Sequence, residues 1–107
     1  MSLSQTFKKQ LRTIGHDLNP TVIVSAKSGV HDNVLQEIAL ALSNHELIKV
    51  KLSGEDREEK AAWADQICKA LSANLIQKVG NVVLLYKKAS EQNLKLSNVV
   101  RFYNQRA

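Results

Sequence analysis

The chain has a single cysteine, Cys68, among its 107 residues. A lone thiol can close no disulfide within the chain and builds no cysteine-based zinc site. Proline is equally scarce, with Pro20 alone, and glycine occurs four times. No low-complexity stretch or internal repeat is visible. No apolar run is longer than Val82–Tyr86, far short of the ~20 residues that a membrane span requires. Met1 to Gln5 carries no basic stretch leading into an apolar core, so no signal peptide is expected. These absences predict a cytoplasmic protein of a reducing compartment with no membrane partner. What remains is 44% hydrophobic and 23% charged, the composition and length of one globular domain with one core.

Acidic residues are the minority. Ten Asp and Glu stand against fifteen Lys and Arg, a net charge of +5 with a pI near 9.5. A basic domain attracts polyanions, of which nucleic acid is the commonest. The excess is uneven. Residues 1–86 carry ten bases and nine acids, whereas residues 87–107 carry five bases and one acid.

Hydrophobic spacing gives the order of elements. Leu3, Phe7, Leu11 and Ile14 form a helical stripe, with Lys8, Lys9 and Arg12 off it and Gly15 expected as a left-handed cap. Thr21–Ser25 is a β-branched run, hence a strand. Asp32 is placed to cap a second helix with its stripe at Val34, Leu35, Ile38, Ala39 and Leu42. Leu47–Leu52 alternates, putting Ile48, Val50 and Leu52 on a buried face and Lys49 and Lys51 on a wet basic one. Glu55, Asp56, Glu58 and Glu59 crowd the start of a third helix, where negative charge suits the helix dipole. Two strand-like runs flank Gly80-Asn81, a hairpin signal. The reading is an α/β fold of order α-β-α-β-α-β-β, in two layers, with a mixed four-stranded sheet. Residues 1–88 form the domain. Residues 89–107 form a basic carboxyl-terminal tail, either a short helix or disordered.

Little here asks for catalysis. His16, His31 and His45 stand apart without metal-ligand spacing, and Cys68 lies on a buried helical stripe. No phosphate-binding P-loop, dinucleotide fingerprint or nucleophile elbow is present. The expectation is no enzyme, no metal, no cofactor and no small-molecule substrate. The turn Ala26-Lys27-Ser28-Gly29 is more suggestive. It sits between a strand and a helix start, where small residues let backbone N–H groups approach a phosphate. KH modules clamp RNA backbone with a GxxG loop in the same way. Lys8, Lys9, Arg12, Lys49, Lys51, Lys87 and Lys88 are the further candidate contacts.

Four further segments carry a resemblance. His45-Glu46-Leu47-Ile48-Lys49-Val50-Lys51 followed by Glu55-Asp56-Arg57-Glu58, the closing Gln77–Tyr86 hairpin, and Leu18-Asn19-Pro20 with the strand after it resemble the YhbY-like family. These are stand-alone CRM domains, named for chloroplast RNA splicing and ribosome maturation. The resemblance covers about residues 2–88. It implies a fold like the carboxyl-terminal domain of the third bacterial translation initiation factor. It also implies an RNA-binding protein that associates with ribosomal RNA of large (50S) subunit precursors and assists assembly; a monomer is expected. The family's GxxG loop maps onto Ala26–Gly29, with Ala26 in place of the first glycine. Alanine disfavours positive φ, so the loop either keeps negative φ there or clamps phosphate less well. With few aromatics to stack on, structured RNA is favoured over single-strand reading. The alternatives are an Alba-like nucleic-acid-binding dimer and a protein-interaction adaptor whose basic face meets an acidic partner.

Overall fold

Val82–Tyr86 is apolar at every position, so both faces of the strand it forms must be covered. The computed structural model, which describes residues 3–27 and 29–106, is built around that requirement. The elements run α1 (Gln5–Gly15), β1 (Pro20–Ser25), α2 (Asp32–His45), β2 (Leu47–Ser53), α3 (Arg57–Leu71), β3 (Asn74–Val79), β4 (Val82–Tyr86) and α4 (Asn98–Arg106). The strands form one mixed sheet in the order β1-β2-β4-β3. β1 and β2 are parallel, joined through α2, and β4 is antiparallel to both of its neighbours. The α/β class, the mixed four-stranded sheet and the order of the first seven elements match the sequence reading.

The layering differs from the two layers expected. On one face Val22, Val24, Ile48, Val50, Leu52, Val83 and Leu85 pack under α2 and α3, where Ile38 and Ile67 are fully buried. On the other, Leu47, Ile76, Leu84 and Tyr86 are covered by Leu11 and Ile14 of α1 and Val99 of α4. The sheet therefore lies between two helical layers. The physical reason is β4, whose alternate residues feed two separate cores.

Two local details also differ. Gly15 is not a left-handed cap. It ends α1 buried against β4, and a Cβ there would stand 2.6 Å from Leu84 Cδ2; glycine is required by the close approach of helix and strand. Asp32 is the first residue of α2, behind an N-cap position held by His31 without a side-chain hydrogen bond. The third helix is capped as its acids suggest. Asp56 Oδ1 accepts from Glu59 N–H at 2.8 Å, and Glu59 Oε1 accepts from Glu55 N–H at 3.1 Å.

Residues beyond β4 are tied to the body. The segment 89–97 wraps around Glu46, a fully buried acid at φ 61° between α2 and β2. Its carboxyl oxygens accept from Ser97 Oγ at 2.6 Å, Ala89 N–H at 2.8 Å and Gln92 Nε2 at 3.0 Å. Asn98 Nδ2 donates to the Leu47 carbonyl at 2.7 Å. α4 then lies beside α1, where Tyr103 Oη donates to Gln10 Oε1.

Candidate nucleic-acid interface

The amphipathic stripe of α1 positions the first part of the site. Ser4 caps the helix, accepting from Phe7 N–H at 3.1 Å. Phe7 meets Tyr86 edge-on, the ring centroids 5.4 Å apart at 85°. Leu11 and Ile14 fasten the same side to the sheet. Lys9, Arg12, Thr13 and His16 recur at i, i+3, i+4 and i+7, hence along one other face of the helix. That face forms the wall of a cleft of about 660 Å³.

The floor comes from all four strands. Pro20 enters from β1, Lys49 from β2, Val82 and Leu84 from β4, and Gln77 and Val79 from β3. Register explains the gathering: Lys49 pairs with Pro20 on one side and with Leu84 on the other, and Gln77 pairs with Leu84. A bulge between Leu75 and Gln77 sends Ile76 into the α1-side core and still leaves Gln77 facing the cleft. α1 covers only part of this face. Ile23 and Val79 remain 61% and 64% exposed, and Lys51, registered with Ile23 and Val82, is exposed as well.

Lys9, Arg12 and Lys49 thus converge on one concavity, with no acidic side chain in its lining. Among the described residues the single ion pair is Lys69–Asp65 within α3, at 3.0 Å. Lys51 shares the sheet face with Lys49. Lys8 is half-buried and does not line the cleft.

The Lys27 turn lies at the carboxyl end of β1. Ala26 N–H donates to the Ser53 carbonyl at 3.1 Å, and Gly29 N–H to the Ser25 carbonyl at 2.8 Å. Ala26 and Lys27 are exposed, and Ser28 lies outside the described residues. Positive φ falls at Gly29, at 61°, and not at Ala26. The substitution of the first glycine is thereby accommodated without strain. Lys49 and Ser53 are four residues apart on β2, so roughly 13 Å of open sheet separates the cleft row from the turn. Lys87 and Lys88 stand elsewhere. They follow β4 at the opposite end of the sheet, where Lys87 N–H donates to the Glu46 carbonyl at 2.9 Å, and they border a small hollow against α2.

Of the ten residues around the cleft, Lys9, Arg12 and Lys49 were expected contacts; two polar ones that were not are His16 and Gln77. The helical spacing from Lys9 to His16 is a signal that could have found the first; the second depends on a bulge that no pattern announces. Burial, then the charge of Asp65, pushes the Cys68 thiol up from its ordinary value. Burial, then Glu46 and Tyr103, does the same for the Tyr86 phenol. Among the described residues no three His, Cys, Asp or Glu side chains gather as metal ligands, and no helix is long and apolar enough to cross a membrane.

Fold and cleft together define a small α/β domain with a cationic groove across one sheet face. A family model described as the CRS1/YhbY (CRM) domain matches residues 3–87, and the chain belongs to that family. It is 43% identical over 102 residues to a protein of Pseudomonas aeruginosa named a probable RNA-binding protein, with 95% of this chain and 97% of that one covered. An RNA-binding protein of Haemophilus influenzae is 38% identical over 95 residues, covering 89% of this chain and 95% of that one. The solution structure of a hypothetical protein from Staphylococcus aureus superposes with a TM-score of 0.72 at 27% identity, covering 84% of this chain and 93% of that one.

Proposed function

We propose that this chain is an RNA-binding protein that acts by binding, without a catalytic step of its own, on ribosomal RNA of large-subunit precursors during assembly. The observation that carries the reading is the meeting of Lys9 and Arg12 of α1 with Lys49 of β2 in one acid-free cleft. Clustered cations of this kind neutralise neighbouring phosphates and release their counterions. Lys51 extends the field across the sheet, and Lys27 with Gly29 offers a second grip at the start of α2, where helix geometry favours a phosphate. The relatives named as RNA-binding proteins support the choice of polyanion. The large-subunit precursor rests on the family resemblance. Lys87 and Lys88, at the other end of the sheet, are assigned a lesser, long-range role, and Lys8 a flanking one.

Sedimentation of a cell lysate through a sucrose gradient tests this. The protein should travel with large-subunit precursors and return to the top of the gradient after ribonuclease treatment. Migration at the top before treatment, or co-migration that survives it, contradicts the reading.

A further inference from the structure

The cleft is concave, and its floor is apolar. A phosphate backbone alone would be held by Lys9, Arg12 and Lys49 and would leave Val79 and Val82 wet beneath it, beside the buried Leu84. The volume, about 660 Å³, falls within the roughly 300–1,000 Å³ of clefts that receive compact organic ligands. Gln77 adds an amide that both donates and accepts, and among the described residues its side chain has no partner within the chain. An apolar surface, a bifunctional amide and a cationic rim match the three parts of a nucleotide: base face, base edge and phosphate. RNA is read mainly where bases leave the helix, at loops and bulges.

Resting on the RNA-binding reading, we propose that this cleft receives one unpaired nucleotide extruded from a structured RNA. The base lies on Val79 and Val82 with its edge toward Gln77, and its phosphate faces Arg12 and Lys49. The Lys27 turn, farther along the sheet, holds the flanking backbone. The protein would thereby prefer a bulged helix to a continuous one, although it carries no phenylalanine, tyrosine or tryptophan in the cleft lining.

The test uses the full chain and two hairpin RNAs at low salt. One carries a single unpaired 2-aminopurine as a bulge; the other is the same hairpin fully paired. The bulged RNA should bind about fivefold to tenfold tighter, which is what covering about 50 Å² of apolar floor supplies. Its fluorescence should rise on binding, because the base leaves its stacked neighbours without meeting a quenching aromatic ring. Gln77→Ala combined with Val79→Ser keeps the net charge and changes two exposed residues. It should bring the bulged-to-paired ratio close to one and abolish the rise. Leu40→Ser, on exposed α2 surface, should retain both. Equal affinity for the two hairpins with no fluorescence change overturns the proposal and leaves RNA binding standing. A double variant indistinguishable from the parent overturns it too. Failure to bind either hairpin overturns the RNA-binding reading itself.

Discussion

Ser97 Oγ donates to Glu46 Oε1 at 2.6 Å, across 51 positions of sequence, and both residues are fully buried. The pair fastens the segment after β4 to the corner between α2 and β2. Removing the acid leaves Ala89 N–H, the Gln92 amide and the Ser97 hydroxyl without an acceptor. Glu46→Ala should cost about 2–4 kcal/mol, from buried donors left unpaired together with the positive φ that alanine tolerates poorly. Glu46→Gly should relieve the backbone part of that cost and retain the loss from the donors. Urea denaturation checks the order parent, then glycine variant, then alanine variant. Hydrogen exchange should show α4 released first in either variant.

Lys27→Glu should weaken RNA binding about fivefold to tenfold at low salt, since one exposed cation–phosphate contact is worth roughly 1 kcal/mol. Lys69→Glu makes the same charge change on α3, where the parent lysine already pairs with Asp65. Equal losses in the two variants would remove the turn from the mechanism.

Lys9→Ala and Arg12→Ala should each lower the slope of log affinity against log salt by about 0.7–0.9, one phosphate contact apiece. Lys88→Ala, at the far end of the sheet, should change the slope little. Titrations at four or five salt concentrations distinguish the positions.

Gly15→Ala should destabilise the fold by about 1–3 kcal/mol, because the added methyl meets Leu84 in a filled core. Leu84→Val in the same chain should recover part of the loss. Thermal unfolding of the single and double variants measures the coupling.

Cys68 should react with iodoacetamide more slowly than a free cysteine near pH 8. Burial and Asp65 raise its pKa, so a smaller fraction is thiolate. Unfolding in urea should restore the ordinary rate.

Much of this structure was legible in one sequence. The alternation of Leu47–Leu52, the Gly80-Asn81 turn and the stripe of α1 are local periodicities, and each became the element it suggested. The third layer was not legible as such. The unbroken apolar run of β4 states that both faces are buried but not which segment covers the second, and the stripe of α4 is too short to announce its partner. The site divides along the same line. Lys9 and Arg12 could be grouped by helical spacing, and Lys49 with Lys51 by strand alternation. That the first pair meets Lys49 in one cleft depends on where α1 crosses the sheet. Gly15 decides that crossing by close contact with Leu84, which in sequence reads as a cap. In sequence Glu46 is one polar residue in the stretch that follows the α2 stripe. Its burial follows from partners some 50 positions away, beyond the reach of any local pattern.

The clasp between Tyr103 and Gln10 joins residues 93 positions apart. During synthesis the α2–α3 side of the sheet can close as soon as β4 has emerged, since all of its residues lie between Val22 and Leu85. The opposite side waits longer, because α1 gains its neighbour from α4, made well after every strand is complete. A nascent chain halted just after the hairpin would therefore present its first helix half-dressed, with the wall of the groove in place before the buttress behind it.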